Sequence, residues 1–147
     1  MNRAAVDTGA LLAIASSHDQ YHRHAMATAA WFRQSGGRWV GSTLVLAELH
    51  GHLLQRIDAP RARRVVAALL DDRAFEWHDA SVDLVRTAVE RWIIRFADQR
   101  FSLTDAVTFE LMDRERLDHA FAYDQHFVTA GFQLLRAPRL AARPGAR

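Results

Sequence analysis

The chain of 147 residues has no cysteine, and because all 19 of its basic residues are arginine it has no lysine either. Without cysteine there is no disulfide and no thiolate metal site, so a metal ion would bind through oxygen or imidazole. The absence of lysine excludes three classes of protein that need one: lysine-dependent phosphate-binding loops, Schiff-base enzymes and phospho-receiver domains. A chain without cysteine is compatible with a reducing cytoplasm, where we expect the protein to act.

Long apolar stretches are missing as well. Charged residues interrupt each one well before the ~18 residues of a membrane-spanning helix, so we expect no membrane association. We also expect no N-terminal leader. Half of the residues are hydrophobic, which at this length favours one domain with a substantial core. We predict a single domain over 1–136 and a loose tail, rich in arginine, alanine and proline, over 137–147.

Short apolar runs alternate with segments of helical periodicity. The runs predict five strands, at 4–6, 39–41, 75–77, 120–123 and 132–135. The strongest helical stripe comprises Val82, Val85, Val89, Trp92 and Phe96. Trp31 and Trp77 also lie on apolar stripes, so we expect these aromatic residues to pack in the core. This alternation predicts an α/β fold, with a five-stranded parallel sheet and helices on both faces.

Two aspartates directly follow predicted strands. Asp7 comes after the run at 4–6, and Asp124 comes after the run at 120–123. In open parallel sheets the ligand crevice lies beyond the carboxyl ends of the strands, where the strand order reverses. We therefore expect the two carboxylates to meet there.

Two further acids lie on predicted helices. Glu48 is about one and a half turns into the helix that follows the second strand, for which Ser42 or Thr43 is the expected N-cap. Asp105 follows Ser102 by three residues, the spacing of a capping box. Any one of these acids has an ordinary reading as a solvated, capping or turn residue. Four gathered carboxylates are unfavourable without a bound cation, and we expect at least one to have a raised pKa.

Five segments between about Arg3 and Leu135 resemble a PIN domain, and specifically the VapC-type toxins of bacterial toxin–antitoxin pairs. They are VDTGALLAIA with Asp7, DQYH at 19–22, STLVLAELHGHL with Glu48, FSLTDAVTFELM with Asp105, and AFAYDQHFVTAGFQLL with Asp124. Order and spacing carry the resemblance more than any single motif. The resemblance implies a single PIN-like domain that cleaves RNA with Mg²⁺ or Mn²⁺, is usually a homodimer and is neutralised by a cognate antitoxin.

The resemblance also assigns residues. Asp7, Glu48, Asp105 and Asp124 fall on the family's acidic positions, and Thr8 falls on its small hydroxyl position. Some members have a further aspartate two residues after the last acid, where this chain has His126. This difference leaves open whether one or two metal ions bind.

Carboxylate oxygens and water are suitable ligands for Mg²⁺ or Mn²⁺. We predict that Asp7, Asp105 and Asp124 bind the metal directly or through water. Glu48 would then orient or deprotonate the attacking water, and all four acids would be catalytic. The predicted function is a metal-dependent endoribonuclease toxin that cleaves structured RNA, such as tRNA or rRNA, by metal-activated water.

Substrate contacts are predicted for Thr8, Arg95 and Arg100. The Thr8 hydroxyl either bonds a ligand carboxylate or the scissile phosphate, or it caps a helix. Arg95 and Arg100 belong to a set of arginines that would contact RNA phosphates, although helix-surface solubility explains each of them equally well.

Two alternative functions remain at this point, and a zinc site is also considered. A PIN-fold module could bind RNA without cleaving it. A haloacid-dehalogenase-like phosphatase also begins with a strand-end aspartate, but it needs a lysine and a second aspartate where this chain has Gly9. His18, His22 and His24 lack the spacing of a known zinc motif, so we expect ordinary polar contacts from them.

Overall fold

The computed structural model describes residues 2–138. The strands are β1 (Arg3–Val6), β2 (Arg38–Ser42), β3 (Phe75–His78), β4 (His119–Phe121) and β5 (Gln133–Leu134). The helices are α1 (Thr8–Ala15), α2 (His22–Gln34), α3 (Thr43–Arg56), α4 (Ala59–Asp71), α5 (Val82–Ala88), α6 (Leu103–Arg114) and α7 (His126–Thr129). A π-helical segment, Val89–Ile94, continues α5.

The strands form one five-stranded sheet in the order β3-β2-β1-β4-β5, and every neighbouring pair is parallel. The chain moves from β1 outward to β3 and then returns to place β4 on the other side of β1. Strand order therefore reverses between β1 and β4, where Val6 pairs with Phe121. A crevice beyond the carboxyl ends of these two strands is the expected ligand site.

Each face of the sheet carries an apolar cluster, because successive side chains of a strand point to opposite faces. Ala4 and Val6 of β1 belong to one cluster, together with residues of α1, α2, α3 and α4. Ala5 belongs to the other, together with residues of α5, α6 and α7. The predicted α/β fold with helices on both faces is confirmed. Trp31, Trp77, Trp92 and Phe96 all pack in or against these clusters, as predicted.

The predicted end of the fourth strand is wrong. β4 ends at Phe121, so Ala122 and Tyr123 separate Asp124 from the strand. The neighbours of β4 explain this, since β1 pairs only as far as Phe121 and β5 only as far as Ala120. Ala122 and Tyr123 extend the apolar run beyond the strand for other reasons. Ala122 is buried in a core cluster, and Tyr123 packs against other aromatic rings.

The end of the described region has no regular structure at Ala137 and Pro138. The rest of the predicted tail lies outside the described residues, so the division into 1–136 and 137–147 stays a prediction. Within residues 2–138, no helix combines the length and the apolar composition needed to cross a membrane.

Candidate active site

A cavity of about 480 Å³ lies at the carboxyl edge of the sheet, beside the point where strand order reverses. Its walls come from the start of α1, from α3, from the start of α6 and from the loop after β4. All four acids singled out in the sequence line it: Asp7, Glu48, Asp105 and Asp124. The structure thus brings together carboxylates that lie far apart in the chain, while their catalytic roles stay predictions.

Asp7 directly follows β1 and occupies the N-cap position of α1. Its side chain is buried, and this burial is the main reason why its pKa rises to about 7. The nearby charge of Asp105, and to a smaller extent that of Glu48, raises the pKa further, whereas the backbone N–H groups of Thr8 and Gly9 oppose the shift. The direction of this shift is the one expected for four gathered carboxylates, but burial contributes more to it than the neighbouring charges do.

Asp105 is held by the capping box predicted at the start of α6. The Ser102 backbone N–H donates to Asp105 Oδ2 at 3.1 Å, and the Asp105 backbone N–H donates to Ser102 Oγ at 3.0 Å. The side chain is nearly buried and lies near a helix N-terminus, where the helix dipole favours negative charge. Asp105 therefore has a fixed orientation toward the cavity.

His126 and Asp124 complete a compact group with Asp105. His126 Nδ1 lies 3.2 Å from Asp105 Oδ2 and 3.4 Å from Asp124 Oδ2. The His126 backbone N–H also donates to Asp124 Oδ1 at 2.8 Å. One ligand atom from each of the three residues fits within a span of 4.8 Å, which suits a shared metal ion.

Sequence reasoning did not identify His126 as a candidate ligand. The available signal was its position two residues after Asp124, at the start of the short helix α7. In that turn the His126 side chain folds back onto the Asp124 carboxylate.

Asp7 and Glu48 line the same cavity but stand outside this compact group. Glu48 is half-buried in the second turn of α3, and its charge contributes to the raised pKa of Asp7. The predicted ligands Asp7, Asp105 and Asp124 therefore line one cavity, and the charge of Asp105 acts on Asp7 more strongly than that of Glu48 does. Asp105 and Asp124 lie beside His126, and Asp7 lies at the start of α1.

Thr8 is buried at the first helical position of α1, so its reading as an N-cap is wrong because Asp7 takes that position. Within residues 2–138 the Thr8 hydroxyl has no hydrogen-bond partner. It borders the cavity, which leaves it available to a bound group. Ser42 does occupy the N-cap position of α3, but its side chain makes no capping bond.

The two arginines predicted to bind substrate differ in position. Arg100 lines the cavity, as do Arg56 and His52 from α3. Arg95 is exposed just after the π-helical segment and is not among the cavity-lining residues of the described chain. Arg100 can therefore reach a substrate in the cavity directly, whereas Arg95 can only contact a longer substrate.

Two of the three clustered histidines make contacts inside the protein. His22 Nδ1 lies 2.7 Å from the Ala13 carbonyl oxygen, and His24 Nδ1 lies 2.7 Å from the Tyr123 hydroxyl. These are the ordinary polar contacts expected for them.

Comparison with known proteins gives a consistent result. No family model matches the chain. The 23S rRNA-specific endonuclease VapC20 of Mycobacterium tuberculosis, from strains CDC 1551 and H37Rv, is 31% identical over 84 residues. That alignment covers 57% of this chain and 63% of the relative, so it spans less than two thirds of the relative's length.

Solved structures extend the likeness over most of the chain. The crystal structure of M. tuberculosis VapC20, described as a sarcin–ricin loop cleaving toxin, matches with a TM-score of 0.82 and 26% identity. That match covers 91% of this chain and 99% of the other. VapBC2 from Rickettsia felis, solved with a fragment of promoter DNA, matches with a TM-score of 0.61, 14% identity and 90% and 96% coverage, which shows the fold alone. With its parallel sheet and its acid-lined cavity at the strand ends, the chain is thus similar to the toxin VapC20 over most of its length.

Proposed function

We propose that the protein is a metal-dependent endoribonuclease of the toxin type, which cleaves structured RNA such as rRNA or tRNA. The observation that carries this proposal is the gathering of four carboxylates around one cavity at the carboxyl edge of the sheet. The likeness to VapC20, a 23S rRNA-specific endonuclease, supports rRNA as the first substrate to test.

The donor set fits a divalent cation. Three carboxylates and one imidazole are oxygen and nitrogen ligands of the kinds that Mn²⁺ accepts, and the carboxylates also suit Mg²⁺. The buried Asp7 carboxyl, with its pKa near 7, and the buried Thr8 hydroxyl without a partner both fit a site that binds a cation. We assign Asp105, Asp124 and Asp7 as the residues that would hold the ion, directly or through water, with His126 beside the first two.

A cation bound there would supply Lewis acidity, lowering the pKa of a water molecule and offsetting negative charge on the phosphodiester. The protein's own residues do the rest. Glu48, half-buried on the Asp7 side of the cavity, orients the attacking water and accepts its proton. Arg100 and the Thr8 hydroxyl bind phosphate oxygens at the same edge. Ser102 keeps the Asp105 carboxylate in one orientation through the capping box.

A cognate antitoxin and a second copy of the chain are the proposed protein partners. An antitoxin segment that carries an arginine can pair its guanidinium with the uncompensated carboxylates and so block the cavity. Exposed apolar side chains on the α5 and π-helical segment, Val82 and Ile94, are available to a homodimer interface. The homodimer, when free of the antitoxin, would act on RNA in the cytoplasm.

Cleavage assays with and without metal test the proposal. We expect the wild-type protein to cleave an rRNA fragment containing the sarcin–ricin loop in Mg²⁺ or Mn²⁺ and to be inactive in EDTA. Asp105→Asn and Asp124→Asn should remove the activity while the thermal melt shows a folded protein, because the amide keeps the shape but loses the ligand charge. RNA binding without cleavage under every metal condition would instead support a non-catalytic RNA-binding module.

A further inference from the structure

Two tyrosines stack beside the acidic residues. The rings of Tyr21 and Tyr123 lie parallel, with centroids 4.2 Å apart and an interplanar angle of 4°. Both line the cavity that holds the four carboxylates, and Tyr123 directly precedes Asp124. The stack therefore borders the place where an RNA backbone would be cleaved.

Tyr123 is held from several sides. His24 Nδ1 lies 2.7 Å from its hydroxyl oxygen. The guanidinium carbon of Arg136 lies over its ring, 5.0 Å from the ring centroid. Arg136 is itself fixed, because it donates to the carbonyl oxygens of Ala122 and Leu135. Tyr123 therefore forms a rigid base for the second ring.

Tyr21 is the outer ring of this stack. Its backbone N–H donates to Asp19 Oδ1 at 2.8 Å, in a turn that leads into α2. One ring face lies against Tyr123, yet Tyr21 remains 41% exposed. In the part of the chain that the structure describes, Tyr123 is the one aromatic ring in contact with it. Tyr21 therefore keeps exposed area that no second aromatic ring of the described residues covers.

We propose that the outer face of Tyr21 is a nucleobase-binding subsite that stacks an unpaired base next to the scissile phosphate. The base would then stack on Tyr21, Tyr21 stacks on Tyr123, and Arg136 contacts the Tyr123 ring. This inference rests on the proposed ribonuclease function. It adds that the protein binds an unpaired base of the substrate next to the four carboxylates. A base within a duplex is already stacked on both faces, so the subsite selects a nucleotide from a loop, bulge or single strand.

The energetics favour such a subsite. Stacking of a base on an aromatic side chain is worth about 1–3 kcal/mol and does not depend strongly on base identity. The rings are already in place before RNA binds, so little side-chain entropy is lost on binding. The subsite would thus position the backbone, while other contacts select the sequence.

RNA binding in EDTA tests the subsite without any dependence on cleavage. The probes are a fluorescent hairpin that contains the sarcin–ricin loop and an unstructured RNA of mixed sequence. We expect Tyr21→Ala to weaken the binding of at least one probe by about 5- to 150-fold, which is the stacking energy converted to affinity. Tyr21→Phe and Tyr21→Trp should bind as wild type. Tyr21→Leu should be weakened like Tyr21→Ala, because it keeps the apolar bulk but has no ring.

A matched control separates stacking from a general loss of surface. Leu54 is exposed on α3 and does not line the cavity, so Leu54→Ala should leave RNA binding unchanged. Thermal melts of all variants check that the fold persists. If Tyr21→Ala unfolds the turn before α2, Tyr21→Leu replaces it in the binding test, because it also lacks the ring but fills more of the space.

A double-mutant cycle locates the base. Loop nucleotides of the hairpin are made abasic one at a time, and each RNA is titrated with wild type and with Tyr21→Ala. At one position the losses of binding free energy from Tyr21→Ala and from the abasic nucleotide should not add, because both changes remove the same stacking contact. The proposal is overturned if Tyr21→Ala binds both probes as tightly as wild type, if Tyr21→Leu binds like Tyr21→Phe, or if the losses add at every position. Wild type that shows this coupling but never cleaves RNA would contradict the ribonuclease function and leave the subsite standing.

Discussion

His126 Nδ1 lies 3.2 Å from Asp105 Oδ2, so an imidazole at the start of α7 contacts a carboxylate fixed at the start of α6. The contact joins two segments that meet only through the fold. It also places a nitrogen atom within the compact group where most of the candidate ligands are oxygen atoms.

The His126 imidazole should set the metal preference. Imidazole suits transition ions, whereas Mg²⁺ favours carboxylate and water oxygens. We therefore expect His126→Asp to lower the ratio of the Mn²⁺-supported to the Mg²⁺-supported cleavage rate by several-fold. His18→Asp makes the same chemical change away from the acid-lined cavity and should leave the ratio unchanged. An unchanged ratio in His126→Asp would remove His126 from the candidate ligands.

The raised pKa of Asp7 should make the metal-free protein less stable as pH rises. In the unfolded chain this carboxyl ionises near its ordinary pKa of 3.8, and in the folded protein near 7. Between these values the folded state holds a proton that the unfolded state has lost, so stability falls with rising pH and levels off above pH 7. The full effect is of the order of 4 kcal/mol.

Asp7→Asn tests this assignment, because the amide resembles the protonated acid. In EDTA, the substitution should raise the melting temperature, and it should do so by more at pH 8 than at pH 5. Glu90→Gln, an exposed change on the π-helical segment, is the control and should show no such pH dependence. A melting temperature of Asp7→Asn that stays below that of wild type at pH 8 would contradict the prediction.

Ser102 should affect the cleavage rate as well as the free energy of unfolding. Ser102→Ala removes one bond of the capping box and should cost about 1 kcal/mol, and it also frees the Asp105 side chain to rotate. Ser81 caps α5 through the same kind of bond, since its hydroxyl accepts from the Leu84 backbone N–H at 3.1 Å, and it lies outside the cavity lining.

The comparison of these two serines separates capping from positioning. Ser81→Ala and Ser102→Ala should lose similar unfolding free energy in denaturant titrations, but only Ser102→Ala should lose cleavage rate. Equal rates in the two variants would mean that the capping box does not orient the ligand.

Metal binding should stabilise the folded protein by mass action. At ten times its dissociation constant, a single bound ion adds about 1.4 kcal/mol. We expect Mn²⁺ or Mg²⁺ to raise the melting temperature of wild type and to raise that of Asp105→Asn much less. The shift in Ser81→Ala should equal that of wild type. Equal shifts in wild type and Asp105→Asn would place the ion elsewhere.

The sequence was most informative where a local pattern determines the structure. Asp7 was predicted at a strand end because the run before it is short, apolar and closed by the start of a helix. The capping box of Ser102 and Asp105 depends on a three-residue spacing, which the sequence shows directly. Both features are formed by neighbours in the chain.

The sequence was least informative where the local structure depends on contacts with segments that are distant in the chain. The end of β4 depends on how far β1 and β5 extend beside it, so the position of Asp124 relative to the strand was misjudged. The contact of His126 with Asp105 requires α6 and α7 to meet. The π-helical geometry of Val89–Ile94 is likewise invisible in a stripe whose apolar spacing fits an ordinary helix.

The return of the chain to the centre of the sheet also bears on its synthesis. Because β4 follows β2 and β3 in the chain and yet pairs with β1, the four acids come from two parts of the chain that are synthesised one after the other. A growing chain that ends before α6 carries Asp7 and Glu48 but neither Asp105 nor Asp124. If the protein cleaves ribosomal RNA, this order of assembly keeps an unfinished chain harmless to the ribosome that is making it.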